Sequence, residues 1–241
     1  MSINLEKINL QKESIINLKK ASGIGAKSIA QVVLVTDRSG SMSHLYKDGT
    51  VQRTVERILP FGLAFDDNGE VDSYAFHNKY YELEPITLNN LNGYVPNHLG
   101  KISYGGTSYA PVLKEINRKY TKNSSKKSLL DVFRGVSNDS PMDYPVYVIF
   151  ITDGENDDKA ETDEIIRELS GKGVFIQFIG VGSDNFKYLN NLDNLSGRKL
   201  DNVNFFRIDD LNEFSDDQLY LGLMMEYPDW YKQAINENFI K

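Results

Sequence analysis

Short runs of β-branched and aromatic residues alternate with amphipathic stretches through most of the chain. The runs that begin at Gln31, Val146 and Val174 are apolar at almost every position, which is typical of parallel strands buried on both faces of a sheet. Strands are predicted at 31–36, 70–76, 80–83, 146–151, 174–181 and 204–208, and helices at 51–65, 110–120, 161–169, 186–195 and 213–225. This alternation predicts an α/β fold, in which a doubly wound, mostly parallel sheet carries helices on both faces.

The N-terminal residues follow a different pattern. The sequence Ile-Asn-Leu-x-Lys occurs at 3–7, 8–12 and 16–20, so that apolar residues two apart bracket an asparagine. A period of two predicts short strands or a hairpin. We therefore expect residues 1–28 to form a β-rich extension, which either covers the edge of the main domain or serves as a docking arm. The main domain is expected to span 29–226, and a tail at 227–241 is expected to pack against it.

Three loops with oxygen-bearing side chains are predicted to meet at one edge of this sheet. One loop follows the strand at 31–36, one precedes the helix at 110–120, and one follows the strand at 146–151. Ligands of a doubly wound sheet bind beyond the carboxyl ends of its strands, where such loops lie. The side chains that the loops supply are two carboxylates and three hydroxyls: Asp37, Asp153, Ser39, Ser41 and Thr107.

These five side chains predict a site for a divalent cation. Oxygen ligands alone suit Mg²⁺, Mn²⁺ or Ca²⁺ rather than softer metals. Alternate residues of the first loop, at 37, 39 and 41, can turn toward one point, and Gly40 allows the tight bend between them. Each loop taken singly also has an ordinary structural explanation as a helix cap or a turn. The three loops together favour the metal site.

The loop motifs resemble those of a known family. Asp-Arg-Ser-Gly-Ser-Met at 37–42, Gly-Gly-Thr at 105–107 and Thr-Asp-Gly at 152–154 together resemble the von Willebrand factor A-type (vWA) domain, over residues 31–225. The resemblance implies a metal-ion-dependent adhesion site, in which Ser39 and Ser41 bind the metal directly and Thr107 binds it directly or through water. Asp37 and Asp153 would orient waters and the serine hydroxyls. Within the family, the chain is most similar to intracellular bacterial proteins of tellurium-resistance and stress gene clusters.

Composition and charge limit the remaining function classes. The 241 residues include no cysteine, which excludes disulfides, thiolate catalysis and cysteine zinc sites. A net charge of −7 argues against a nucleic-acid binder, which would carry a basic face. No stretch approaches the roughly 20 apolar residues of a membrane span, and the first residues lack the apolar run of a signal peptide. We therefore expect a cytoplasmic protein without a membrane span.

The resemblance and the hydroxyl-rich site predict a non-enzymatic protein-binding module. A divalent cation, with Mg²⁺ preferred over Mn²⁺ or Ca²⁺, is expected to bridge to an Asp or Glu of a partner protein in a bacterial response to tellurite or chemical stress. Other stress-cluster proteins or an ATPase are the expected partners. The acidic residues at 155–158 are expected at the rim of the site, where they favour cation capture.

Two alternatives to a simple binding module remain at this point. One is a metal-dependent phosphohydrolase, although Ser39 stands where aspartyl-phosphate enzymes of similar shape carry a second carboxylate. The other is an adaptor subunit of an ATPase complex, in which a separate subunit would supply the motor because this chain has no ATPase motif.

Overall fold

A mixed sheet of six strands runs through the described part of the molecule. The computed structural model describes residues 5–66, 68–121, 141–182, 184–209 and 211–241. The strands are β1 (Gln31–Asp37), β2 (Val71–Phe76), β3 (Tyr80–Ile86), β4 (Val146–Thr152), β5 (Val174–Val181) and β6 (Val203–Ile208). Their order is β3-β2-β1-β4-β5-β6, and all neighbours are parallel except β2 and β3. The predicted α/β class with a mostly parallel sheet is confirmed.

Helices cover both faces of this sheet. Those of the described residues are α1 (Leu5–Ala21), α2 (Ser43–Lys47), α3 (Thr50–Phe65), α4 (Tyr94–His98), α5 (Ala110–Tyr120), α6 (Lys159–Leu169), α7 (Lys187–Asp193), α8 (Asp216–Met224) and α9 (Tyr227–Asn236). One face packs against α1, α3, α8 and α9, and the other packs against α5, α6 and α7. Because β1, β4 and β5 are covered on both faces, their sequences are apolar at nearly every position.

The predicted β-rich extension at the N terminus is wrong, because residues 5–21 form the helix α1. The buried residues of α1 are Ile8, Ile15 and Lys19, whose spacings of seven and four place them on one face of a helix. The leucines of the repeat, Leu5 and Leu10, are 59% and 62% exposed. The period of two therefore does not describe what the segment buries, and α1 packs against α3 and α8 through the residues at helical spacing.

Polar contacts join α1 to the start of α8. Gln11 Nε2 donates a hydrogen bond to Asp216 Oδ2 over 2.7 Å, and Ser14 Oγ donates to Asp217 Oδ1 over the same distance. Arg57 of α3 donates to the other oxygen of Asp216 over 2.8 Å. These contacts make α1 part of the helical layer on this face of the sheet.

The C-terminal segment forms the helix α9, which packs against the same layer. Tyr227 and Trp230 are buried, and the centroid of each ring lies 5.4 Å from that of Phe175 in β5. Neither α9 nor any other helix among the described residues is long and apolar enough to cross a membrane.

A lysine is buried where α1 meets the end of α3. The Lys19 side chain donates hydrogen bonds to the carbonyl oxygens of Ser28 (2.5 Å) and Ala64 (3.0 Å), and its Nζ lies 4.4 Å from the centroid of the Phe65 ring. Burial lowers the pKa of Lys19 to about 8, because the charged ammonium loses hydration that two carbonyls replace only in part.

This burial makes stability depend on pH in a defined direction. Between the folded pKa of about 8 and the unfolded value of 10.5, the unfolded chain binds more protons at Lys19, so stability rises with pH. From pH 7.5 to pH 9.5, the free energy of unfolding of the wild type should rise by on the order of 1–2 kcal/mol more than that of Lys19→Met. Urea unfolding of both proteins at the two pH values measures this difference. Identical pH responses of the two proteins would mean that Lys19 stays charged across this range.

Candidate functional site

The carboxyl ends of β1 and β4 lie side by side, because the two strands are parallel neighbours with Thr36 opposite Ile151. Asp37 ends β1 and is fully buried. Its Oδ1 accepts a hydrogen bond from the Ser39 N–H over 2.7 Å, and its Oδ2 accepts one from the Thr152 hydroxyl over 2.6 Å. The loop after β1 thus holds one oxygen of this carboxylate, and the last residue of β4 holds the other.

The two serines after β1 bring their hydroxyls together. Ser39 Oγ lies 3.0 Å from Ser41 Oγ, so alternate residues of the loop do point to one place. Ser39 is buried, whereas Ser41 is exposed. The pair therefore lies at the boundary between the protein interior and the solvent, where a ligand can reach it.

The segment before α5 is fastened to this loop and carries Thr107, which is buried. The Gly40 N–H donates to the carbonyl of Gly105 over 2.9 Å, and Ser39 and Gly105 form an isolated parallel bridge. The Gly106 N–H donates to Asn78 Oδ1 over 2.7 Å, at the turn between β2 and β3. The structure therefore places Thr107 at the same edge of the sheet as the serines.

Two carboxylates of the acidic run after β4 (155–158) accept hydrogen bonds from the main chain of another segment, so the run is more than a solvated rim. Asp157 Oδ2 accepts from the Thr107 N–H over 2.9 Å, and the Asp157 N–H donates to the Thr107 carbonyl over 2.7 Å. The two oxygens of Asp158 accept from the N–H groups of Tyr109 and Ala110, each over 3.0 Å. Asp158 thereby caps the start of α5 from another segment of the chain. Of the run, Glu155 and Asp157 are exposed.

The two carboxylates at the strand ends are buried, and neither forms an ion pair among the described residues. Burial raises the pKa of Asp37 to about 7; the hydrogen bonds from Thr152 and Ser39 oppose this rise, and the neighbouring Asp153 adds to it. Asp153 is buried as well, and its Oδ1 has no hydrogen-bond partner in the described structure. A buried acceptor without a partner is rare and requires an explanation. A bound cation with its waters would supply one.

The donor set fits a hard cation only if hydroxyls take part. Among the residues that the structure describes, no group of three or more His, Asp or Glu side chains is arranged to hold a metal ion. Asp37 and Asp153 are the buried carboxylates at the ends of β1 and β4, and the serine hydroxyls lie on the loop after β1. Neutral hydroxyls with carboxylates behind them are suitable ligands for Mg²⁺, Mn²⁺ or Ca²⁺.

Two residues that support Asp37 were missed by sequence reasoning. The Thr152 hydroxyl donates to Asp37, so it accepts from the Tyr109 hydroxyl at 2.9 Å. Both residues are fully buried. Thr152 could have been found because it directly precedes Asp153 at the strand end, but nothing in the sequence pairs Tyr109 with a residue 43 positions away.

A phenylalanine supports the loop that carries Asp153. Gly154 has a φ of +97°, and a Cβ added to it would lie 2.8 Å from Cδ1 of Phe186. Phe186 itself has a φ of +48°, which is unusual for a residue with a bulky side chain, and it is buried. The ring thus lies directly against the Gly154 backbone, and only glycine fits there.

Comparison with known proteins identifies the family of this chain. The model of the vWA family found at the C terminus of TerF matches residues 29–240. The chain is 37% identical over 238 residues to the uncharacterized protein YcbR of Bacillus subtilis (strain 168), covering 97% of this chain and 90% of YcbR.

Solved structures with low sequence identity share the fold. The vWA domain of SpRpn10 superposes with a TM-score of 0.56 at 8% identity, covering 80% of this chain and 94% of that one. Proximal thread matrix protein 1 of the mussel byssus, solved with a zinc-occupied adhesion motif, gives a TM-score of 0.50 at 18% identity. The superposition covers 82% of this chain and 46% of the mussel protein's chain.

Proposed function

Because the chain belongs to the vWA family found at the C terminus of TerF, we propose that it is a non-enzymatic protein-binding module that works through a metal-ion-dependent adhesion site. The observation that carries this proposal is the meeting of the Ser39 and Ser41 hydroxyls, 3.0 Å apart, with two buried carboxylates behind them. One of those carboxylates, Asp153, keeps a buried oxygen without a hydrogen-bond partner in the described structure.

The proposed ligand roles follow from the position of each side chain. Ser39 and Ser41 would hold the cation directly, and Thr107 would do so directly or through water. Asp37 and Asp153 would orient the hydroxyls and waters, because Asp37 already accepts hydrogen bonds from the loop after β1 and from the last residue of β4. When bound, Mg²⁺, or Mn²⁺ or Ca²⁺ in its place, supplies a coordination position that a partner's carboxylate can fill. The zinc-occupied motif of the mussel protein supports the capacity of the fold for a metal.

The partner is proposed to be a protein that presents an Asp or Glu. Hydroxyl ligands carry no charge, so they leave the cation with an unbalanced positive charge that a carboxylate neutralises through a charge-assisted contact. We further propose that the module acts in a bacterial response to tellurite or chemical stress, with other stress-cluster proteins or an ATPase as partners. Membership of the TerF-type family supports this setting.

The proposal is tested by titrating the protein with MgCl₂ in a calorimeter and by capturing partners from a native lysate in Mg²⁺ and in EDTA. We expect the wild type to bind Mg²⁺ and to capture a partner only in Mg²⁺. Ser41→Ala should weaken both, because it removes an exposed ligand without disturbing the core.

Ser28→Ala is the matched control, since its hydroxyl donates only to the nearby Gly25 carbonyl over 3.0 Å. It should behave like the wild type in both assays. Partner capture that persists in EDTA, or a wild-type protein that binds no Mg²⁺, would contradict the proposed function.

A further inference from the structure

Arg38 lies between Asp37 and Ser39 and is buried, with 6% of its surface exposed. Among the described residues it makes no ion pair, and its Nη1 is buried without a hydrogen-bond partner. A buried guanidinium that lacks a carboxylate and leaves a donor unsatisfied costs stability. Stability alone therefore does not explain an arginine at this position.

Two tyrosine rings contact the Arg38 guanidinium. Its central carbon lies 3.7 Å from the ring centroid of Tyr104 and 4.3 Å from that of Tyr46. Its Nε donates a hydrogen bond to the carbonyl of Ile102 over 2.9 Å. The two rings are 6.0 Å apart between centroids and inclined at 70°, so the guanidinium lies in the corner that they form and is attracted to both. The side chain of Arg38 thus binds the segment that begins at Ile102.

These contacts connect the loop after β1 to the segment that carries Thr107. The Tyr46 hydroxyl donates a hydrogen bond to the Asp37 carbonyl over 2.6 Å, so this ring is fixed beside Asp37. The other ring, Tyr104, directly precedes Gly105, whose N–H donates to the Arg38 carbonyl over 3.4 Å. The Gly40 N–H also donates to the Gly105 carbonyl over 2.9 Å, so the Arg38 side chain adds to a main-chain connection between the two segments.

We propose that Arg38 is a positioning residue that holds the segment 102–107 against the loop 37–41, so that Thr107 stays at the edge of the sheet that carries the serine hydroxyls. The metal-binding part of this inference rests on the proposed function. The charge of Arg38 acts in the opposite direction, because a nearby cation repels Mg²⁺. If Arg38 acts mainly by positioning the segment, removal of its contacts with the two tyrosines should weaken Mg²⁺ binding. If repulsion of the cation dominated, removal of the charge would strengthen Mg²⁺ binding.

The first test uses the metal-free protein and so does not depend on the proposed function. Amide hydrogen exchange at Gly40 and Gly105 should become at least about tenfold faster in Arg38→Met and in Tyr104→Leu, because local opening of the segment becomes easier. Tyr104→Phe is the matched control: it keeps the aromatic ring and should exchange like the wild type. Unchanged exchange in both Arg38→Met and Tyr104→Leu would overturn the inference.

The second test measures Mg²⁺ affinity, which would not change if Arg38 contributed only to the stability of the fold. We expect a loss of about tenfold in Arg38→Met and in Tyr104→Leu, and none in Tyr104→Phe. Arg38→Lys should not restore affinity, because an ammonium lacks both the planar face that stacks on an aromatic ring and the Nε–H that binds the Ile102 carbonyl. Equal or higher affinity in Tyr104→Leu would overturn the inference. A wild type that binds no Mg²⁺ refutes the proposed function, and hydrogen exchange then still decides whether Arg38 positions the segment.

Discussion

Replacing Asp37 with asparagine should weaken Mg²⁺ binding by roughly 10- to 100-fold and leave the metal-free fold intact. The asparagine oxygen can still accept from the Ser39 N–H, and its amide can donate to the Thr152 hydroxyl, so both contacts of the carboxylate keep a counterpart. What disappears is the negative charge that attracts the cation. The change therefore separates the electrostatic role of Asp37 from its structural role.

The same substitution should preserve or raise the stability of the metal-free protein at pH 8. Burial raises the folded pKa of Asp37 to about 7 from 3.8, so the folded state disfavours the charged form at every pH above the unfolded value. A neutral amide avoids that cost. Calorimetric titration with MgCl₂ and thermal unfolding at pH 8 measure the two effects.

Asp229→Asn is the charge-matched control, because its side chain is 82% exposed on α9. It changes the net charge by the same amount and should retain the wild-type Mg²⁺ affinity. If Asp37→Asn bound Mg²⁺ as tightly as Asp229→Asn, the buried carboxylate would have no part in cation binding.

Gly154→Ala should destabilise the protein by roughly 1–3 kcal/mol more than Gly25→Ala. Both glycines have a positive φ, of +97° and +84°, so both substitutions force an L-residue into the left-handed region. Only Gly154 has a neighbour in the way, since the new Cβ would meet the Phe186 ring at 2.8 Å, whereas nothing lies within 4 Å of the same atom at Gly25. The difference between the free energies of unfolding of the two variants thus measures the cost of the clash with the Phe186 ring.

Urea unfolding of both variants checks this expectation, and MgCl₂ titration extends it. Because Phe186 is itself in a left-handed conformation and buried, it has little room to move, and the strain should pass to the Asp153 loop. We expect Gly154→Ala to bind Mg²⁺ more weakly than Gly25→Ala. Equal stability of the two variants would show that the Phe186 ring adjusts without cost.

The sheet could be predicted from the sequence because its central strands are buried on both faces. β1, β4 and β5 have to be apolar at nearly every position, and the amphipathic helices between them show a clear helical period. α1 could not be predicted in the same way. Its repeat has a period of two, and the burial of Ile8 and Ile15 depends on a partner surface formed by α3 and α8, which is distant in sequence.

The candidate site was predictable to the extent that strand ends gather at one edge of a parallel sheet. That rule locates Asp37, Asp153 and the serine loop without knowledge of any contact. It does not identify Tyr109, which acts through Thr152, or Arg38, whose partners are aromatic rings rather than a carboxylate. α2 and α4 are single helical turns of five residues each, too short to show a periodic pattern.

The burial of Lys19 has a consequence for where this protein can be divided. The family match begins at residue 29, but Lys19 and the rest of α1 lie before it. A fragment that began there would uncover the Phe65 ring and leave the Ala64 carbonyl, near the end of α3, without its donor. The first residue of the family match is therefore not a boundary at which this chain can be divided without uncovering groups that α1 buries.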